Sequence, residues 1–303
     1  MSNKLLSICI PTYNRAGVLE GTLNSLFSNP DFDATKIEVI VSDNCSTDNT
    51  AEIVTKYPLV KYYRNNENVR DCNFSIAMGY TTASYIRIFN DTLSFKKGTL
   101  KLMLDRIEEH LGSNCNLFFY RTEFLNKSIK TIIKTKADFI KEVSFYSTWI
   151  ANFGIWREDF QKIINKDRYA ELQFVQVDWS YRVVENNKKT VIYFDDLFDV
   201  TVPNKKGGYN IFDTFVNKYL YIIKQENFDF ITYEIEKYRL CRYFIYPNLL
   251  TLLVYEKDKY GFEINNPIRT IFKKYWYEPY FYPILLLFWY RRITSVNVKG
   301  TDY

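Results

Sequence analysis

Four short polar clusters carry residue types that could do chemistry: Pro11-Thr12-Tyr13-Asn14-Arg15, Asp43-Asn44, Asn90-Asp91-Thr92 and Val177-Asp178-Trp179. A fifth, Asn204-Lys205-Lys206-Gly207-Gly208, is basic and glycine-rich. Asp91 carries a carboxylate, a hard-oxygen group of the kind magnesium takes as a ligand. Two lysines followed by two glycines offer fixed positive charge and mobile backbone amides that can close over a diphosphate; a plain solvated linker is the other reading. An aspartate at a helix start, as Asp178 is placed, can take a proton from a hydroxyl or can cap the helix. His110 is the only histidine and lies in an amphipathic pattern, where a structural role is expected. Histidine-based metal triads, and serine or cysteine triads that use histidine, are therefore excluded.

The elements that must position these clusters can be read from periodicity. Leu5 to Pro11 is a buried strand, Val18, Leu19, Leu23, Leu26 and Phe27 recur at helical spacing, and Ile37 to Val41 is a second apolar, β-branched run. This βαβ pattern predicts a parallel sheet. Ligands of such sheets bind outside the carboxyl ends of the strands, so Pro11 to Arg15 and Asp43-Asn44 should face one crevice. Asn49 and Glu52 have capping-box spacing ahead of a short helix. Leu59 to Tyr63 reads as strand three, Cys72 to Tyr80 as a helix after the Asn65 to Asn68 turn, and Tyr85 to Phe89 as strand four, bringing Asp91 to the same edge. A helix over Gly98 to Leu111, a strand over Leu117 to Tyr120, an edge segment over Ile129 to Ile133 and a last strand over Val191 to Phe194 follow.

Composition narrows the class. The chain has 303 residues, 47% of them hydrophobic and 25% charged, the balance of a globular protein with one large domain or a domain plus an extension. Its formal charge of +5 is spread along the chain, which fits mild attraction to phosphate or anionic lipid and predicts no nucleic-acid partner. Five cysteines, odd in number and without a CxxC pair, argue against a disulfide framework and a zinc site and fit the reducing cytosol. The N-terminus enters its first strand without the charged and apolar regions of a signal peptide. The 26 tyrosines and 24 phenylalanines suit carbohydrate-facing or interfacial surfaces, or a biased genome.

PTYNR after strand one, VSDNCSTDNT after strand two and SYIRIFND along strand four resemble the family 2 glycosyltransferases of the GT-A fold, bacterial surface-polysaccharide type. The resemblance implies an α/β fold: a Rossmann-like, mostly parallel central sheet with flanking helices, followed by a C-terminal helical extension. Residues 1–205 would form the transferase domain, 1–95 its nucleotide-binding half and 96–205 its acceptor half, with 206–303 as the aromatic-rich extension. It implies inverting transfer from a nucleoside-diphosphate-sugar, UDP favoured, to a polysaccharide or lipid-linked oligosaccharide. Thr12, Tyr13 and Asp43 then sit at the base, where a carboxylate can accept the imide proton of a pyrimidine; an Asx turn is the other reading of Asp43. Pro11, Asn14, Arg15, Asn68, Arg70, Asn90 and Asp91 complete the nucleotide set. Asn68-Val69-Arg70 departs from the family's Asn-x-Gly. The family's acidic triplet reads Asn90-Asp91-Thr92 here, so a divalent cation, Mg2+ or Mn2+, should be held weakly by Asp91. Lys205 and Lys206, in a loop that Gly207 and Gly208 let close over the diphosphate, would share its work. Asp178 matches the catalytic base, with Val177 in place of the usual preceding acid, and Trp156 and Trp179 fall on the acceptor side.

Two other functions stay open: a sugar nucleotidyltransferase, for which no GxGxR-like loop follows strand one, and a degenerate transferase fold serving as a binding or scaffold subunit. Pro279 to Tyr290 is only about twelve strongly apolar residues, short of the roughly 20 that span a bilayer. With Lys273-Lys274 before it and Arg291-Arg292 after it, residues 273–292 suit a peripheral contact at the inner membrane face, a buried closing helix or a homo-oligomer contact.

Overall fold

The computed structural model describes residues 4–121, 130–186, 188–200, 208–255 and 260–299. The chain divides into two compact units, Met1–Phe139 with Tyr146–Val202, and Ile140–Phe145 with Pro203–Tyr303.

The first unit opens with β1 (Leu6–Thr12), α1 (Ala16–Phe27), β2 (Ile37–Asp43), α2 (Thr50–Thr55), β3 (Val60–Arg64), α3 (Cys72–Gly79) and β4 (Tyr85–Ile88). There follow β5 (Leu93–Phe95), α4 (Thr99–His110), β6 (Cys115–Tyr120), β7 (Lys130–Ile133), α5 (Lys136–Val143), β8 (Gly154–Trp156), α6 (Arg157–Lys162), α7 (Val175–Val184), β9 (Lys189–Phe194) and β10 (Phe198–Val200). The main sheet has the order β3-β2-β1-β4-β8, with β8 alone antiparallel. Every residue of β2 and all but one of β1 are buried, as strands covered on both faces must be, which is why their sequences run continuously apolar rather than alternating. Leu19, Leu23 and Leu26 bring α1 onto the same core as Ile8, Ile10, Val39 and Val41.

The order has a functional consequence. The chain runs from β1 outward through β2 and β3, then returns to place β4 on the other side of β1. The gap between the carboxyl ends of β1 and β4 is therefore a topological switch point, where open α/β sheets leave a crevice.

The architecture matches the mostly parallel sheet with flanking helices read from the sequence, with two local corrections. Val191 to Phe194 is not the last strand: β10 pairs antiparallel with β5, because Phe198 packs edge-on against Phe95 and Phe89. Asn49 makes no side-chain cap on α2; Asp48 instead accepts the Thr50 amide at 3.1 Å. His110 faces Tyr193, its Nε2 3.1 Å from the hydroxyl, and burial lowers its affinity for a proton.

The second unit is helical. One helix covers 211–225 and a longer one 230–255, followed by Pro267–Tyr275 and Phe281–Lys299. The π-helical turn Cys241–Ile245 ends two residues before Pro247, which lacks the amide hydrogen a continuous α-helix would use. Among the described residues, no helix is long and apolar enough to cross a membrane.

Candidate active site

Two turns meet at the carboxyl edge of the sheet, where the Asn44 amide donates to the Thr12 carbonyl at 2.9 Å and side chains add further ties. Asn14 adopts the left-handed conformation, φ 51°, which turns its amide toward Ser46 Oγ at 2.9 Å and its Oδ1 toward the Thr47 amide at 2.7 Å. The Ala16 amide, one of the unpaired donors at the start of α1, donates to Asp48 Oδ2 at 2.9 Å. The turn after β1 is thus fixed to the turn after β2.

Asp43 stands opposite Thr12 in the parallel register and is closed to solvent. Its Oδ1 accepts the Ser46 amide at 2.8 Å, its Oδ2 accepts the Tyr62 hydroxyl at 2.6 Å, and Arg64 Nε lies 3.5 Å away. Burial, and then the bond to this carboxylate, push the Tyr62 hydroxyl far above the ordinary phenol range. The Asx interaction considered from the sequence is therefore present. A carboxylate has about four lone-pair sites, and the two hydrogen bonds take one on each oxygen, with the Arg64 cation against Oδ2. As a freely presented acceptor for a pyrimidine, Asp43 needs correcting: Tyr62 and Arg64 cover it.

Asn44 carries the link onward, donating to Asn68 Oδ1 at 2.9 Å and accepting the Val69 amide at 2.9 Å. Arg70 takes φ 51°, the conformation a glycine would favour, so the turn keeps a left-handed residue despite departing from Asn-x-Gly.

Across the switch point Asp91 is buried, with Arg15 Nη1 3.1 Å from Oδ1 and Thr12 Oγ1 3.4 Å from Oδ2. Thr22 on α1 holds its backbone carbonyl at 2.7 Å. Burial raises the Asp91 pKa, and the Arg15 guanidinium opposes the rise. Arg15 itself is half exposed, so the pair lies at the mouth of the crevice rather than inside it. Asn90 is partly exposed beside it, Pro11 closes the strand, and Tyr13 is exposed. Among the described residues no group of three or more acids, cysteines or histidines could enclose a metal ion. Asp91 alone fits a cation that draws its remaining oxygens from a bound diphosphate.

The acceptor-side expectations fare differently. Asp178 lies in the first turn of α7, but Phe174 holds the capping position, so a capping role is ruled out. Its carboxylate is closed to solvent, gripped by Arg168 through Nε at 2.8 Å and through Nη2, and approached by Arg182 Nη1 at 3.4 Å. Trp179 offers no face to a sugar: it is fully buried between Phe153 and Phe160, its indole donating to the Lys166 carbonyl at 2.8 Å. Trp156 is also corrected. Its indole donates to the Cys115 carbonyl at 2.8 Å, and it lines a cleft of about 370 Å³ at the amino-terminal end of β4, away from the carboxyl edge. Lys205, Lys206 and Gly207 lie outside the described residues; Gly208, with φ 85°, donates its amide to the Gly261 carbonyl at 2.9 Å.

Four functional neighbours were not singled out from the sequence. Arg64 and Tyr62 had a signal, since the β2–β3 register sets Asp43 beside Arg64 at the strand ends. Asp48 had one in its position just before α2. Arg168 had none, because a loop returns it to Asp178. Its neighbour Asp167 accepts Ser75 Oγ on α3 at 2.6 Å, tying this loop to the helix that follows Asn68 and Arg70.

Comparison with known proteins bears on the family and the fold. A family model described as glycosyl transferase family 2 matches residues 7–177. The abequosyltransferase RfbV of Salmonella typhimurium (strain LT2) is 33% identical over 121 residues, 38% of this chain and 34% of its own length. The match thus spans about a third of that relative. Among solved structures, Staphylococcus aureus TarS 1-349 in complex with UDP is similar at a TM-score of 0.60 and 20% identity, over 84% of this chain and 76% of that one. The mannosyltransferase PcManGT from Pyrobaculum calidifontis, in complex with GDP-Man and Mn2+, is similar at a TM-score of 0.58 and 13% identity, over 100% and 88%. At these identities the structural likeness speaks for the GT-A fold alone.

Proposed function

The chain belongs to glycosyl transferase family 2, and from that premise we propose that it moves a sugar from a nucleoside-diphosphate donor, UDP favoured, to a hydroxyl of a polysaccharide or lipid-linked oligosaccharide, with inversion. The observation that carries this reading is the Arg15–Asp91 pair spanning the carboxyl ends of β1 and β4. It puts one cation and one carboxylate at the switch point, where a diphosphate needs both positive charge and a metal ligand. Residues 1–95 supply the donor side and 96–205 the acceptor side.

The locked turns after β1, β2 and β3 form a rigid seat for the nucleoside, with Tyr13 exposed at its edge and Asp43 setting its floor. Arg15 faces the diphosphate. A divalent cation such as the Mn2+ of the PcManGT complex, held by Asp91 and the diphosphate itself, would neutralise charge on the leaving group. In the transfer the acceptor oxygen bonds to the anomeric carbon, the carbon–oxygen bond to the diphosphate breaks with its electron pair, and the hydroxyl proton goes to Asp178. That role requires Arg168 to swing away from the carboxylate it now grips.

Thermal shift with UDP, GDP and ADP, with and without Mn2+, tests the donor side. Selective stabilisation by UDP, enhanced by Mn2+ in the native chain and no longer enhanced by it in Asp91→Asn, is the expected result. Absence of any nucleotide response would defeat the proposal. A second reading, a binding or scaffold subunit, is favoured by the closed Asp178; it requires donor binding without turnover or donor hydrolysis.

A further inference from the structure

We propose that the Phe281–Lys299 helix, with the basic Pro267–Tyr275 helix that precedes it, is a docking surface for an anionic membrane. Each helix commits one face to the second unit, where Ile271, Tyr275, Phe281 and Phe288 are buried. The opposite face is not committed in this way. Tyr282, Leu286, Tyr290 and Ile293 recur at helical spacing along the outer side of the last helix, and the most exposed of them, Leu286, keeps 70% of its surface open. Trp276 and Trp289 are exposed beside them. A stripe of this kind, in which leucine and isoleucine alternate with tyrosine and tryptophans lie beside them, suits the boundary between lipid headgroups and acyl chains.

Charge selects the occupant. Arg269, Lys273, Lys274, Arg291 and Arg292 are the basic residues between Pro267 and Thr294, and Glu278 is the one acid. Glu278 is buried against Lys237, with which it is hydrogen-bonded, so it contributes no outward negative charge. Arg269, Lys273, Arg291 and Arg292 are exposed, and Arg292 lies over the Trp289 ring at 5.2 Å, which keeps a cation at the margin of the apolar stripe. A second copy of this chain would set these cations against their equals across a two-fold contact, an arrangement that repels. A surface of anionic headgroups satisfies both the cations and the stripe. The helix lies on such a surface and does not cross it, because Arg291 and Arg292 interrupt its apolar run. This inference does not depend on the proposed transfer reaction.

The test is flotation of the full chain with vesicles of phosphatidylcholine alone and of phosphatidylcholine mixed with phosphatidylglycerol. The chain should float with the mixed vesicles at low ionic strength and be partly released by salt. Lys273→Gln/Arg292→Gln should weaken partitioning by on the order of tenfold or more, since each cation near such a surface contributes separately. Leu286→Ser/Tyr290→Ser should abolish what binding remains in salt. All four positions lie outside the buried face, and unchanged thermal unfolding would establish that the variants fold. No flotation, equal flotation with neutral vesicles, or full binding by the charge variant would overturn the proposal. So would a dimer in sedimentation velocity that the Leu286→Ser/Tyr290→Ser variant dissolves while vesicles leave the native chain behind.

Discussion

At the scale of single residues, the candidate site is held by conformations that few side chains tolerate. Asn14, Cys45 and Arg70 all have positive φ, at 51°, 66° and 51°, in the turns after β1, β2 and β3. An asparagine tolerates this conformation better than most residues, and here the Asn14 side chain is further held by the Thr47 amide of the neighbouring turn. Arginine has no such help, and its strain persists because Asn44 and Asn68 pin the backbone on both sides, the Arg70 amide donating to Asn68 Oδ1 at 2.9 Å. Replacing Arg70 by glycine removes the steric strain but adds chain entropy to the unfolded state, and the two effects offset within about 0.5 kcal/mol. Arg70→Val adds a β-branched side chain at positive φ and should cost about 1–3 kcal/mol. Urea unfolding of the two variants, read side by side, checks the difference. Equal stability would mean that the turn is not held as described.

Among elements, the joint between the two larger sheets depends on one glycine. Gly154 begins β8 opposite Arg87, and a Cβ there would lie 2.3 Å from the Tyr85 hydroxyl and 2.8 Å from the ring. That hydroxyl donates to the Leu117 carbonyl of β6 at 2.6 Å, and the neighbouring Trp156 indole makes the parallel bond to Cys115. Tyr85 and Trp156 also pack edge to face, with ring centres 5.0 Å apart. Gly154→Ala must therefore push Tyr85 off β6 and should destabilise the first unit by about 2–3 kcal/mol, the cost of overpacking a filled core. Thermal unfolding measures it. Adding Tyr85→Phe removes the nearest atom and should restore part of the loss; no recovery would place the strain elsewhere.

At the scale of the whole molecule, a buried glutamate in each unit titrates in the direction opposite to the other. In the first unit, Glu38 accepts bonds from Ser7, Thr82, the Ala83 amide and Lys61; this offsets the cost of its burial and holds its pKa near about 2. Its folded value lies below the unfolded 4.5, so its stabilisation is complete above 4.5 and is lost as pH falls toward about 2. In the second unit, Glu236 is fully buried, which raises it to about 7 despite bonds from Ser144 and Tyr219. Its folded value lies above the unfolded one, so its stabilisation is complete below 4.5 and is lost as pH rises through about 7. Each contribution is about 3 kcal/mol at its full extent. Denaturant unfolding across pH should show the first unit weakening in acid and the second weakening toward neutrality. Glu38→Gln should flatten the acid limb and Glu236→Gln the neutral one. A native profile that is flat between pH 4.5 and 7 would contradict the Glu236 assignment.

Much of the first unit was legible along the chain because its strands and helices are local: their period and their ends are written in consecutive residues. The apolar runs from Leu5 to Pro11 and Ile37 to Val41 and the helical spacing in α1 determined a parallel α/β sheet, and the acids just beyond the strands placed Asp43 and Asp91 at its carboxyl edge. What these groups touch was decided only by tertiary structure. Whether Trp179 faces a sugar or the core depends on where Phe153 and Phe160 pack, and Asp178 is closed by an arginine that a loop brings back to it. Periodicity reports which face of an element is apolar, but not which partner covers it, because burial is a property of two surfaces and one stretch of sequence describes only one of them.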